Sequence, residues 1–243
     1  MKFGEAVKKQ NKYIVISIGG SVIFPKESTS IDFLFLTKIK DYFTYLLVKK
    51  YKIVIVPGGF GGQFFFDGMR ELGCSELELN QVGTNLIEIA SIALGRFLKE
   101  TRFKLNNFAN VSAFSSMSEF QIGIEAFDIS IVGFTLTGAT TSDSLAALIG
   151  SHIGGRLQFI KNLEANRIVV DYVTDFERQT FSVDQFKKFI WENDYHGKAG
   201  SSPLDFKLVE ILKLTKLPSS VVFKEDLIEC DEFKNLRIFD VEI

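Results

Sequence analysis

Six hydroxyl side chains surround one carboxylate in residues 135–144: Thr135, Thr137, Thr140, Thr141, Ser142 and Ser144 around Asp143. A mostly apolar run at 129–132 leads into them, and Leu145-Ala146-Ala147-Leu148-Ile149 follows. Either Thr141 or Ser142 can cap a helix that starts here, and its first backbone N–H groups then lack intrahelical partners. Hydroxyls in front of a helix N-terminus suit an anion such as phosphate. The plain alternative is a strand, a polar turn and a capped helix with no ligand.

Two glycine turns add weight to the anion. Gly19-Gly20-Ser21 follows the β-branched run Tyr13-Ile14-Val15-Ile16-Ser17-Ile18, and Pro57-Gly58-Gly59-Phe60-Gly61-Gly62 follows Lys52-Ile53-Val54-Ile55-Val56. Glycine lets backbone amides approach phosphate oxygens without a Cβ in the way. Two such turns, with a hydroxyl-rich third, suit a donor phosphate facing an acceptor phosphate. Neither a GxxxxGK[ST] loop nor a GxGxxG turn in a dinucleotide-binding setting is present.

The elements that position these turns read as alternating strands and helices. Short continuous apolar runs suit strands buried on both faces. Between the first two runs, Phe35, Ile39, Phe43, Leu46 and Leu47 recur at helical spacing over 31–50. A βαβ unit follows, and its right-handed crossover puts both glycine turns on one edge of a parallel sheet, where open α/β sheets bind ligands. Helices are predicted at 63–72 with Gly73 as a stop, at 85–100, at 118–127, at 142–152, from Ser182 to 191, and after Pro203. Strands are predicted at 111–114, 129–132, 156–160, 167–173, 220–223 and 236–241. In the 85–100 helix, Leu86, Ile89, Ala90, Ala93, Leu94 and Phe97 form one apolar side, and Ile87 and Ile92 make a second. A helix apolar nearly all round is deeply buried or half of an oligomer contact.

The chain has 243 residues, 46% of them hydrophobic, enough for a full core. A net charge of −2 gives no electrostatic footprint for nucleic acid. The two cysteines, Cys74 and Cys230, show no pairing pattern, so free thiols in a reducing, cytoplasmic setting are expected. His152 and His196 form no metal-ligand spacing with them, and no apolar run reaches the ~18 residues of a membrane span. The expected fold class is a three-layer α/β/α sandwich with a mainly parallel central sheet. It forms a single domain over 1–243, with lobes of about 1–150 and 151–243.

In their order these motifs resemble the amino acid kinase superfamily, and within it the archaeal type of uridylate kinase. Ile16-Ser17-Ile18-Gly19-Gly20-Ser21 is similar to the family's first strand and GGS loop, and Val54 to Gly62 to its second glycine turn. The segment 135–148 resembles the family's PGxTTDAVAAL stretch with one extra residue, and Lys198-Ala199-Gly200-Ser201-Ser202 its late AGSS segment. The resemblance implies ATP and Mg²⁺ as cofactors and a small phosphorylated acceptor. It places Gly19, Gly20 and Ser21 toward ATP, with Lys161, Asn162 and Glu164 in the segment that borders the nucleoside. Gly58, Gly59, Gly62, Gln63, Thr135, Thr140 and Thr141 fall on the acceptor side. Asp143 and Ser17 fall at catalytic positions. A carboxylate cannot itself stabilise a transferring phosphoryl group, but it can hold a lysine or Mg²⁺ that does.

Cationic positions of the family are altered here. Ser17 stands where most members carry lysine, Gln63 where arginine is common, and Glu210 where a late-helix lysine falls. Lys161 and Lys198 are the candidates to compensate. The resemblance therefore implies a nucleoside-monophosphate kinase first. The alternatives are a non-catalytic nucleotide- or oxyanion-binding oligomer like the molybdenum storage proteins, or a kinase for another small phosphoester such as a furan-methyl phosphate. It also implies self-association through the helix near 85–100, with no nucleic-acid or membrane partner.

Overall fold

The computed structural model describes residues 12–25, 31–59, 62–100, 109–137, 139, 141–163, 171, 173–192 and 206–242. Among the described residues nine strands form one sheet: β1 (Tyr13–Ile18), β2 (Lys52–Pro57), β3 (Val111–Phe114), β4 (Ile129–Val132), β5 (Arg156–Lys161), β6 (Thr174–Asp175), β7 (Thr180–Ser182), β8 (Ser219–Phe223) and β9 (Phe239–Glu242). Their order across the sheet is β3-β4-β2-β1-β5-β8-β9-β7-β6. The first six strands in that order pair in parallel; β9 runs antiparallel to β8, and β6 antiparallel to β7.

Strand alternation builds two cores, one per face. Val15, Val54, Val56, Phe159, Val221 and Phe223 face one side, against α5 (Met117–Gly123), α6 (Ser142–Ile153), α7 (Val183–Glu192) and α8 (Phe206–Thr215). Ile14, Ile16, Ile18, Ile53, Ile55, Ile160 and Val222 face the other. There they meet α1 (Gly20–Ile23), α2 (Phe33–Val48), α4 (Glu76–Glu100) and α9 (Lys224–Glu229). This is the three-layer sandwich expected from the sequence. β1 is buried on both faces along its whole length, and Ser17 is its one polar residue.

Several elements differ from the sequence reading. Helix α4 begins at Glu76, nine residues before 85. Ser75 and Glu78 explain it: the Glu78 amide donates to the Ser75 hydroxyl, and Ser75 N–H and Oγ–H donate back to the Glu78 carboxylate. That reciprocal box is legible as Ser75-x-x-Glu78. The faces of α4 also shift. Ile87 lies buried with Leu86, Ala90, Leu94 and Leu98, whereas Ile89 and Ile92 are exposed. The strand expected over 167–173 is not one where it is described: Asp171 and Val173 are helical, and the rest lies outside the described residues. The late strand starts at Phe239 rather than 236, because the 3₁₀ turn Phe233–Asn235 (η1) takes up the chain first. The helix expected at 118–127 ends at Gly123.

Beyond Gly123 the chain carries Glu125 to the N-terminal edge of the sheet. Glu125 accepts from Lys12 at 2.8 Å and from the Tyr13 hydroxyl at 2.5 Å, and Lys52 donates to its backbone carbonyl. The hydrogen bonds from Lys12 and Tyr13 hold the Glu125 carboxyl down at about 2, while burial and Glu125 push the Tyr13 phenol up. The folded value lies below the ordinary one near 4.5, so the contribution is present above pH 4.5 and disappears as pH falls toward 2. Glu125 is mostly exposed, so Glu125→Gln is expected to cost less than about 1 kcal/mol at neutral pH. Urea melts of both proteins should converge between pH 4.5 and 2; a constant gap across that range would refute the linkage.

Candidate active site

The parallel strands all point their C-terminal ends at one edge, and the two glycine turns meet there. Gly58 N–H donates to Ile18 O at 2.7 Å, and Gly19 N–H to Ile160 O at 3.3 Å. A Cβ on Gly20 would run into the Gly59 carbonyl oxygen, and one on Gly58 into the Gly20 amide nitrogen. A Cβ on Gly59 would sit 2.7 Å from Leu86 Cβ of α4. These glycines are therefore required by backbone-to-backbone packing of the turns. The Gly19 and Gly58 amides already serve carbonyls of the sheet, which makes them unlike amides held open for a phosphate.

Three side chains from three elements converge beside the turns. Asp143 sits in the first turn of α6, 4% exposed. Ser17 Oγ of β1 donates to Asp143 Oδ1 at 2.7 Å. Lys161 Nζ, at the end of β5, donates to Asp143 Oδ2 at 2.6 Å. Both oxygens of the carboxylate are thus engaged, one by a neutral hydroxyl and one by an ammonium, and the helix N-terminus behind them favours the negative charge. Thr141 is the N-cap of α6. Its hydroxyl accepts from the Asp143 and Ser144 amides, and Ser144 completes the capping box. At the other end Gly154, with φ +68°, closes the helix in the left-handed conformation.

The remaining expected residues are more scattered. Ser21 lies in the single turn of α1. Gly62 and Gln63 open α3 (Gly62–Glu71). Thr135 is exposed on the segment after β4, and Asn162 is half-buried just beyond Lys161. Thr140, Glu164 and Lys198 lie outside the described residues. Glu210 is a surface residue of α8 that pairs with Lys207 at 3.0 Å.

A second buried ion pair was not anticipated. Lys224 Nζ lies 2.6 Å from Asp32 Oδ2 and 5.7 Å above the Phe35 ring, on the opposite face of the sheet from Asp143. Burial pushes the Asp32 carboxyl up, but hydrogen bonds from Lys224 and the Phe35 amide prevail and hold it below its usual value. Asp32 is also the N-cap of α2, a role its sequence position before Phe33 could have announced. Nearby, the Leu163 amide donates to Glu225, which ties the loop after β5 to α9.

A cavity of about 290 Å³ beside α9 is lined by Asp226, Glu229, Asp231, Glu232, Cys230 and Arg237 among others. Burial, with Glu225 and Glu229 nearby, pushes the Asp226 carboxyl up despite Arg237. A wall of carboxylates repels phosphate, so the cavity does not suit the chemistry of the glycine edge. Among the described residues no group of three or more His, Cys, Asp or Glu side chains is placed to hold a metal ion.

No family model matches the sequence, and no curated protein matches it. Solved structures do match. The UMP kinase of Ureaplasma parvum aligns with a TM-score of 0.63 at 18% identity, over 96% of this chain and 100% of that one. The UMP kinase of Bacillus anthracis gives 0.62 at 15% identity, over 88% of each chain. The uridylate kinase of Archaeoglobus fulgidus gives 0.61 at 17% identity, over 94% of this chain and 99% of that one. At these identities the likeness is one of architecture, and it extends over nearly the whole chain: the protein has the amino acid kinase-like α/β fold that these structures share.

Proposed function

We propose that the chain is an ATP-dependent kinase for a small phosphorylated acceptor, a nucleoside monophosphate such as UMP first. The observation that carries this reading is the buried Ser17–Asp143–Lys161 cluster beside the two glycine turns. A charged pair withdrawn from water is a costly arrangement, and this one stands at the sheet edge where ligands of such folds bind. The nucleotide would lie toward Gly20, Ser21 and the β5 end, and the acceptor phosphate toward Gly59 and the Thr135–Thr141 side. On this reading the acceptor falls to the lobe of about 1–150, and the nucleotide reaches from Gly20 and Ser21 of that lobe to the lobe of about 151–243.

Phosphoryl transfer is dominated by positioning and by positive charge around the moving group. Asp143 orients; Ser17 fixes the carboxylate from the strand below. The donor set does not fit a protein-held Mg²⁺: both oxygens of Asp143 are already engaged, and no carboxylate cluster accompanies it among the described residues. The expectation is that Mg²⁺ arrives on the nucleotide's phosphates. A thermal-shift series tests the reading first. ATP–Mg²⁺ should raise the melting temperature by mass action and Mg²⁺ alone should not; no shift at millimolar nucleotide would refute it.

One observation favours a second reading. Asp143 neutralises Lys161, so the cluster as a whole brings no net positive charge to a phosphate chain. A nucleotide- or oxyanion-binding oligomer without transfer would suit that balance.

The assembly we infer is a homo-oligomer built on α4. Ile89 and Ile92 are exposed on its outer face, between Glu88 and Arg96. Two copies of α4 crossing antiparallel about Ile92 would set each Glu88 against the partner's Arg96. Ile92→Glu, with a like charge meeting itself across that axis, is expected to shift the protein to monomer by light scattering. An unchanged mass would rule this face out. No helix among the described residues is long and apolar enough to cross a membrane.

A further inference from the structure

We propose that Lys161 is the cation that meets the transferring phosphoryl group, and that its seat beside Asp143 can be filled by a lysine from either of two adjacent strands. The proposal rests on the kinase reading and adds to it the identity of the charge that acts.

The register supports it first. β1 and β5 run parallel with Ser17 opposite Phe159. Side chains alternate along a strand, so Ser17, Phe159 and Lys161 all stand on the α6 face. Lys161 lies one pleat nearer the glycine turns than Ser17 does. The two strands then grip one carboxylate from two sides, Ser17 on Oδ1 and Lys161 on Oδ2. A lysine at position 17 would start from the same face and the neighbouring strand, within the reach of its four-carbon stem.

Burial and donor number come next. The Lys161 and Asp143 side chains are 10% and 6% exposed. An ammonium carries three donors, and Asp143 Oδ2 takes one of them. The others are available to phosphate oxygens brought to the sheet edge. Gly19 N–H is bonded to the carbonyl of Ile160, the residue before Lys161, so the first glycine turn and the ammonium are held in fixed register. The other lysine buried among the described residues, Lys224, belongs to the opposite face and to Asp32.

In the reaction the bond from the γ-phosphorus to the β-phosphate oxygen breaks, and a bond from that phosphorus to an acceptor phosphate oxygen forms. ATP becomes ADP and the acceptor monophosphate becomes a diphosphate. Lys161 keeps its proton throughout and donates hydrogen bonds to the oxygens that gain charge, while Asp143 holds it in place.

The test uses the full chain and four variants: Lys161→Met, Lys161→Arg, Ser17→Lys and the double variant Ser17→Lys/Lys161→Met. Three quantities are measured: acceptor-dependent ADP release, affinity for ATP and for AMP by calorimetry, and melting temperature. Lys161→Met is expected to lose about 10²-fold or more in turnover. It should bind ATP about tenfold more weakly with AMP unchanged, since one ion contact to the phosphate chain is lost. Ser17→Lys alone should melt lower, because two ammoniums then share one carboxylate. The double variant should melt within a few degrees of the parent and regain at least about tenfold of the lost turnover. Lys161→Arg keeps the charge and guards against a folding defect in the methionine variant.

Parent-like turnover in folded Lys161→Met would overturn the inference while the kinase reading stands. Additive melting shifts in the double variant would overturn the shared seat. Should the parent release no ADP with any acceptor, the kinase reading falls, and the calorimetry still decides: ATP affinity unchanged in Lys161→Met would sink the phosphate-facing role as well.

Discussion

Asparagine in place of Asp143 is expected to cut turnover by about 10²-fold or more while nucleotide still binds. The amide keeps the shape of the side chain and can still accept from Ser17. It no longer neutralises Lys161, whose ammonium is left buried without its counter-charge. Removing one partner of such a pair costs about 3–5 kcal/mol, so urea melts should show a large loss of stability alongside the loss of rate. Ser17→Ala removes one hydrogen bond to a charged acceptor and should cost about 1.5–3 kcal/mol with a smaller kinetic effect. The two readings of function separate here. A binding protein would lose stability in Asp143→Asn with no acceptor-dependent rate to lose. A kinase with parent-like turnover in that variant would place the reacting centre elsewhere.

Alanine at Gly58 should be nearly as damaging, by a different route. Its Cβ would enter the Gly20 amide nitrogen, and both turns are tied to the sheet by the Gly58 and Gly19 amides. Overpacking of this kind typically costs about 1–3 kcal/mol, and a backbone obstacle cannot rotate aside as a side chain can, so the upper end is expected. Separation of the turns should also weaken binding of an acceptor phosphate. Gly68→Ala is the control. Gly68 lies in α3 with open space around its Cα, and alanine there should stabilise by up to about 1 kcal/mol through helix propensity. Melting temperatures of the two variants should move in opposite directions; equal small shifts would refute the close packing of the turns.

Much of the fold was legible because its signals are local. β1, β2 and β4 are mostly apolar runs, interrupted only by Ser17, by Lys52 at the start of β2 and by Ser130, and a parallel sheet buried on both faces needs that composition. Helix α6 announced itself through Thr141 and Ser142 in front of an apolar stretch, and Thr141 is the residue that caps it. What escaped was set by tertiary contact. The β6–β7 hairpin has strands of two and three residues at the sheet edge, too short for any period to register. The buried face of α4 is decided by what it packs on: Leu86 meets Gly59 and Ser91 meets Gly133, which turns Ile87 inward and leaves Ile89 out. The early start of α4 was readable in Ser75 and Glu78, but Gly83 within the run masked it. In the candidate site, the resemblance marked Asp143, Ser17 and Lys161 as separate candidates. Their meeting depends on β1 and β5 being neighbours, a fact of topology that no local pattern states. The pairing of Asp32 with Lys224 is of the same kind.

Acceptor-dependent ADP release from the intact chain decides whether the protein transfers a phosphoryl group. UMP, other nucleoside monophosphates and small phosphoesters are offered in turn with ATP–Mg²⁺, and ADP is followed against a no-acceptor control. The expected result is release with at least one phosphorylated acceptor, lost in Asp143→Asn. No acceptor-dependent ADP above background, from protein shown to be folded and to bind ATP, would contradict the kinase account and leave the fold alone standing.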